Sequence, residues 1–256
     1  MRLGFEESQA SYNSGSQNAR ALTEAWASTS LFCPACGNDK LTKFENNRPV
    51  ADFYCARCNE EYELKSQKQK FGKKVTDGAY GTLTERLSAA NNPNFAFLQY
   101  DLGQLRVTNL FIVPKHFFVP EIIERRKPLA STAKRAGWIG CNILLEKIPE
   151  AGKIYIVRND KIEERTSILK KWSKTAFLKN ENQLARGWLL EVMKCVDQIN
   201  QKTFSINDVY SFEGRLHDLY PYNQNIRPKI RQQLQRLRDH GYITFLGRGN
   251  YELVTD

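Results

Sequence analysis

Apolar residues in the first two-thirds of the chain switch between two periods. Ala19, Leu22 and Trp26 recur at helical spacing, so residues 16–28 are expected to form a helix behind a Ser14 or Ser16 cap. Residues 50–55 and 61–66 read as two strands. Tyr80, Leu83 and Leu87 mark a second helix, expected to start near Thr76 and Asp77 and to end at Asn91-Asn92-Pro93. Residues 95–100 and 107–113 are β-prone runs on either side of a turn at Gly103, the pattern of a hairpin. A short strand at 153–157 and a helix over 163–178, carrying Ile168, Leu169 and Trp172, complete this region. The mixture predicts an α/β or mixed α+β unit.

Residues 178–183 are polar and aperiodic, which places a domain boundary there and divides the chain into 1–183 and 184–256. The second part has a different rhythm. Leu189, Val192, Met193 and Val196 line one side of a helix from Trp188 onward. Ser205 is placed to cap a second helix through Ile206, Val209 and Tyr210, and a third is expected over 225–240, stopping at Gly241. Two β-prone runs, 242–246 and 250–254, flank Gly247-Arg248-Gly249, a tight hairpin. Three helices and a terminal hairpin are the winged-helix pattern.

Composition narrows the class. With 256 residues, 41% hydrophobic and 26% charged, the chain can bury a core of ordinary size. The first residues lack the basic and apolar stretches of a signal peptide, and no apolar run is long enough to span a bilayer, so a cytoplasmic protein without a membrane partner is expected. A monomer is compatible with this reading. The net charge of +10 favours a polyanionic partner, through release of counterions from phosphates.

Six cysteines in such a chain read as metal ligands and buried thiols rather than disulfides. Cys33/Cys36 and Cys55/Cys58 form two Cys-x-x-Cys knuckles with eighteen residues between them, the arrangement that closes one tetrahedral structural zinc site. Cys141 and Cys195 stand alone among apolar residues and are expected in the core. Close to the second knuckle lie Asp52 and Glu63-Leu64-Lys65. Residues two apart on a strand share a face, so Glu63 and Lys65 point together, and Asp52 on the neighbouring strand can meet Glu63. Two carboxylates converging on Mg²⁺ beside a lysine suit phosphodiester hydrolysis. An acid followed by Glu-x-Lys also arises by chance on a solvated strand edge.

The cations are clustered. Arg125, Arg126, Lys127, Lys134 and Arg135 fall within eleven residues, in a loop ending at Gly137-Trp138-Ile139-Gly140. This suits a nucleic-acid-facing loop, in which Trp138 either lies against a base or methyl group or packs as a core anchor beside Ile139. In the third C-terminal helix, Ile226, Ile230, Leu234 and Leu237 form the buried stripe. Arg227, Lys229, Arg231, Gln232, Gln233, Gln235, Arg236 and Arg238 take the remaining face, opposed on that helix only by Asp239. Arg and Gln pair well with guanine and adenine edges, so this is the expected recognition helix, with Arg248 at the hairpin tip as a further DNA contact. His116, His217 and His240 share no spacing with an acid motif and are expected to be structural or surface residues.

Five stretches carry a family resemblance: Cys33-Pro-Ala-Cys-Gly-Asn38, Glu45-Asn-Asn-Arg-Pro-Val-Ala-Asp-Phe-Tyr-Cys55, Glu63-Leu-Lys-Ser66, Ala136-Gly-Trp-Ile-Gly-Cys-Asn-Ile143 and Ile230-Arg-Gln-Gln-Leu234. Over nearly its whole length the chain resembles the DpnI-type methyl-directed restriction endonucleases. The resemblance implies a PD-D/ExK nuclease core with an inserted zinc site and a C-terminal winged helix. It further implies Mg²⁺-dependent double-strand cleavage at GATC containing N6-methyladenine. Asp52, Glu63 and Lys65 would be the catalytic set, with the metal on Asp52, Glu63 and Leu64. Ala51 stands where the superfamily label has proline, a position without a chemical role. The competing reading is a winged-helix DNA-binding regulator on an inactive nuclease-like scaffold.

Overall fold

The computed structural model of the chain describes residues 1–5, 15–45, 51–89 and 91–254. In chain order the first part holds α1 (Gly15–Ser30), β1 (Thr42–Lys43), β2 (Phe53–Tyr54), β3 (Glu61–Gln67), β4 (Lys74–Ala79), α2 (Tyr80–Ser88), β5 (Asn94–Asp101) and β6 (Arg106–Val113). It continues with β7 (Ile123–Arg125), β8 (Gly140–Leu144), β9 (Ile154–Arg158), β10 (Lys161–Ile162) and α3 (Arg165–Thr175). The second part holds α4 (Gln183–Ile199), β11 (Thr203–Ser205), α5 (Ile206–Tyr210), α6 (Glu213–Leu219), α7 (Ile226–Asp239), β12 (Ile243–Gly247) and β13 (Asn250–Leu253).

Among the described residues the main sheet runs β1-β2-β3-β5-β6-β9-β10, antiparallel throughout except where β3 meets β5. A parallel pair needs a crossover, supplied here by β4 and α2. β4 also belongs to a small antiparallel sheet, β4-β8-β7. Strands β5 and β6 are covered on both faces, which explains why their sequences read as continuous apolar runs. Phe95, Phe97, Phe111 and Val113 face the small sheet and α2, while Ala96, Leu98, Leu110 and Ile112 face α1 and α3.

Three expectations need correction. Residues 74–79 are a strand, not the start of the second helix, because Val75 and Asp77 alternate inward and pair across to β8; the helix begins at Tyr80. The first strand of the cysteine hairpin is reduced to Phe53–Tyr54, and Val50 lies outside the described residues. The 163–178 helix ends at Thr175 and tightens into a 3₁₀ turn, Ala176–Asn180. Ser16 lies within α1 and Ser14 outside the described residues, so neither is observed as a cap. Cys141 and Cys195 are both fully buried, as expected.

In the C-terminal part Ser205 accepts the Asp208 amide while Asp208 accepts the Ser205 amide, a reciprocal cap on α5. Strand β11 joins the terminal hairpin in the order β11-β13-β12. Helix α6 was not anticipated, since of its seven residues only Leu216 is buried and no stripe marks it. The apolar cluster on the small-sheet side continues without a break into this part through Trp188, Leu189, Val192 and Leu234. Polar ties reinforce the contact: Arg236 pairs with Glu181 at 2.6 Å, and Phe177 stacks on His240 with ring centroids 4.1 Å apart.

Glu60, buried just after the second knuckle, gathers three elements. It accepts from Lys179 at 2.6 Å and Asn94 at 2.9 Å, and pairs with Lys115 at 3.1 Å. Because both lysines are partly solvated, Glu60→Gln is expected to cost about 1–3 kcal/mol rather than the full value of a buried pair. Urea denaturation checks this. An unchanged midpoint would show that the three partners lose nothing when the charge is removed.

Candidate active site and cysteine centre

The two knuckles fold alike because each closes through a left-handed residue. The Gly37 amide donates to the Cys33 carbonyl and the Asn59 amide to the Cys55 carbonyl, both at 2.8 Å. Their φ values are +76° and +58°, conformations that glycine and asparagine tolerate. The four Sγ atoms lie within 4.8 Å of one another, with Cys33–Cys58 at 3.6 Å and Cys36–Cys55 at 3.5 Å. A zinc tetrathiolate with bonds of about 2.3 Å has edges of about 3.8 Å, so spacing and donor set fit a zinc ion with no ligand position left for substrate. The Tyr62 hydroxyl, 3.2 Å from Cys33 Sγ, ties the cluster to β3.

The second knuckle is also the turn of the β2–β3 hairpin, and that hairpin positions the acids. β2 pairs with β3 only at Phe53–Tyr62 and Tyr54–Glu61. The Asp52 amide donates to the Tyr62 carbonyl at 2.9 Å, the last backbone bond of this ladder among the described residues. Asp52 Oδ2 then accepts the Leu64 amide at 2.8 Å, a side chain in the place of a backbone acceptor. In a strand the N–H and C=O of one residue leave on the same side, so the Leu64 carbonyl is directed to the Asp52 side.

On the β3 face turned toward the small sheet, Lys65 Nζ lies 2.5 Å from Glu63 Oε1 and also pairs with Asp77 of β4. Burial pushes the Glu63 carboxyl up to about 7; Lys65 opposes that rise, whereas Asp77 and Asp52 add to it. Asp52 is raised by burial too, against the Leu64 amide. For Lys65 burial works against the charge, but Glu63 and Asp77 outweigh it and hold the ammonium above its usual range. Carboxylates crowded in this way gain from a divalent cation. Two carboxylates and one carbonyl suit Mg²⁺, which keeps waters on its remaining positions. Among the described residues the four cysteines are the group of three or more acids, His or Cys whose ligand atoms all lie within 4.8 Å of one another.

Asp52, Glu63, Leu64 and Lys65 line a cleft of about 580 Å³ between α1 and β4, with Arg20, Thr23 and Glu24 on the helix side. Arg20 reaches Asp52 Oδ1 at 3.5 Å. Asp77, Arg20 and Glu24 had no sequence signal, because only the packing of β4 and α1 against β3 brings them here.

The candidate DNA-facing residues occupy two regions. Arg125 ends β7, and Arg126, Lys134 and Arg135 are exposed in the loop leading to β8. Trp138 is half-buried and outside both core clusters. Its indole lies so close over Gly140 that a Cβ there would stand 2.8 Å from two ring carbons, and the Arg135 guanidinium sits 4.5 Å from its centroid. On α7 the stripe Ile226, Ile230, Leu234, Leu237 is buried as expected. Gln233, expected on the polar face, is buried as well. That face is not opposed by Asp239 alone: Glu213 pairs with Arg227 at 2.8 Å and Glu181 with Arg236, both from other elements. Arg231 donates to the Tyr210 hydroxyl at 2.7 Å, Lys229 lies 5.9 Å from the Trp188 ring centroid, and Gln232 and Gln235 are exposed. Arg248 is exposed at the hairpin tip, where residues 247–249 all have positive φ. His217 is exposed, whereas buried His116, 3.1 Å from Thr175 Oγ1, is kept neutral by burial, with its pKa down at about 3.

A mixed sheet with acids and a lysine on one cleft, a four-cysteine centre and a basic C-terminal helical unit are consistent with a DNA-acting protein. The profile of the Dam-replacing family, DpnI, matches residues 1–181, and that of the Dam-replacing helix-turn-helix domain matches residues 184–253. The chain belongs to this family of DpnI-type restriction nucleases. No helix among the described residues is long and apolar enough to cross a membrane.

Since the second knuckle is the hairpin turn that aligns Asp52 with Glu63, loss of zinc is expected to destabilise that hairpin. Cys55→Ser should lower both bound zinc and melting temperature. A zinc-free variant that melts like the parent protein would show that the hairpin stands without the metal.

Proposed function

We propose that this chain is a methylation-dependent type II restriction endonuclease that cuts both strands of DNA at GATC sites carrying N6-methyladenine. Residues 1–183 form the catalytic domain and residues 184–256 a winged-helix reader, acting in the cytoplasm on adenine-methylated duplex DNA. The observation that carries the reading is the intact set of Asp52, Glu63 and Lys65 beside the β2–β3 hairpin, in a chain whose matches to this family extend over both parts.

Asp52, Glu63 and the Leu64 carbonyl would hold Mg²⁺, which when bound neutralises the scissile phosphate and makes a water more acidic. Lys65, pinned by two carboxylates, presents its ammonium beside the same cleft and stabilises charge developing on the phosphate. Arg125, Arg126, Lys134 and Arg135 take DNA phosphates near the cleft, while Arg227, Lys229, Arg231, Gln232, Gln235 and Arg248 serve the winged helix. The cysteines hold zinc in a structural role. A methyl on adenine N6 occupies part of the groove edge that Asn or Gln would otherwise read, so its recognition calls for apolar contact. Trp138 suits that contact because it is half-exposed and already held by Gly140 and Arg135.

One plasmid prepared with and without adenine methylation tests the function. With Mg²⁺, only the methylated form should be cut, and binding without cleavage would favour the regulator reading. Asp52→Ala should bind methylated DNA as the parent does yet lose cleavage by many orders of magnitude; appreciable Mg²⁺-dependent cutting would move the active site elsewhere. Trp138→Ala should weaken discrimination for the methylated duplex, with a buried methyl worth about 0.8 kcal/mol, while the melting curve stays in place. A lowered melting temperature with unchanged methyl preference would assign the indole to packing.

A further inference from the structure

We infer that Asp77 is the positioning residue for Lys65, and that through it the small sheet carrying the basic loop sets the geometry of the cleft. The inference rests on the nuclease reading above. Lys65 projects from β3 across to β4, where it meets the Asp77 carboxylate, whose side chain is only 5% exposed. Its other partner, Glu63, lies on its own strand.

The two acids differ in what they can do for the lysine. Glu63 shares a strand face with Lys65 and is the carboxylate assigned to the cation, so its charge is divided between two cations during the reaction. Asp77 approaches from a different sheet, and its interaction with Lys65 does not compete with Asp52 or Leu64. An aliphatic stem of four carbons needs an anchor at its tip to be held in one rotamer, since both side-chain entropy and solvation of the ammonium oppose ordering.

Asp77 is itself placed by β8. It pairs with Cys141, and the register then shifts so that Ala79 pairs with Gly140. Gly140 is the residue under the Trp138 indole, and the strand leaving it is the exit of the basic loop. The Cys141 thiol lies 3.5 Å from the Gly78 carbonyl at that irregular step. Two residues, Ile139 and Gly140, thus separate Trp138 from Cys141, the position opposite Asp77. A displacement of the loop against DNA reaches Lys65 by way of a backbone ladder and one ion pair.

Asp77→Asn and Asp77→Glu in the full chain test the assignment. With zinc retained and no Mg²⁺ added, the Lys65 ammonium, identified by its loss in Lys65→Arg, should give an ordered ¹H–¹⁵N signal. That signal should broaden into solvent exchange in Asp77→Asn and return in Asp77→Glu. Single-turnover cleavage of a methylated duplex should fall by roughly 10²-fold in Asp77→Asn, the loss expected from an ångström of misplacement. The Kd for that duplex and the Mg²⁺ concentration at half-maximal rate should stay unchanged, and any fall in melting temperature should be matched by Asp77→Glu without the loss of rate. An ordered Lys65 signal in Asp77→Asn would overturn the inference, as would a raised Mg²⁺ requirement, which would make Asp77 a metal ligand. If the parent protein cuts no DNA, the nuclease reading falls while the ammonium signal still decides what Asp77 does.

Discussion

Among the described residues, the antiparallel pairing of β3 with β2 ends at Tyr62, and the candidate site is built where Asp52 takes over. Had β2 continued, the Leu64 amide and carbonyl would be spent on ladder hydrogen bonds and Asp52 would be one more residue in register. Instead Asp52 meets the Leu64 amide with its side chain, at 2.8 Å. One carboxylate and the carbonyl side of Leu64 are thereby brought to the same place as Glu63. Helix α1 lies beside this part of β3, and charged groups face it.

The cysteine centre makes this arrangement durable. It joins the segment after α1 to the turn between β2 and β3, so the helix that contributes Arg20, Thr23 and Glu24 and the hairpin that contributes Asp52 and Glu63 are tied at one point. Tyr62 extends the tie, with its hydroxyl on Cys33 and its ring 6.5 Å from Trp172 on α3. A buried acidic site costs desolvation free energy, and a hairpin of two paired residues could not hold it alone. A metal held by the four cysteines would supply rigidity where the strand itself is too short to do so.

The positive charge is organised rather than diffuse. Arg227, Arg231 and Arg236 are each engaged by a group from another element, Glu213, the Tyr210 hydroxyl and Glu181. Such pairs at the surface add little to stability. Their effect is to restrict long side chains before a partner arrives, which lowers the entropy lost on binding. Because one apolar cluster runs from the small sheet into the C-terminal helices, the basic loop and α7 are carried on a continuous packed body.

Much of this was legible in the amino-acid order. The cysteine spacing, the Glu63–Lys65 alternation, the β5–β6 hairpin and the apolar stripe of α7 are local patterns, and each is set by backbone periodicity or ligand spacing acting over a few residues. Tertiary structure decided the rest. Residues 74–79 became a strand because β8 offered them a ladder, which local propensity near Tyr80 does not register. Asp77 joined Lys65 only because two sheets met at that point. Gln233 went inside and Glu181 and Glu213 came to the arginines of α7 through packing between elements remote in sequence. The chain order by itself determined which side chains were available and which strand face they shared. Their partners depended on contacts across many residues, whose free energy belongs to the packed whole and leaves no periodic trace in the sequence.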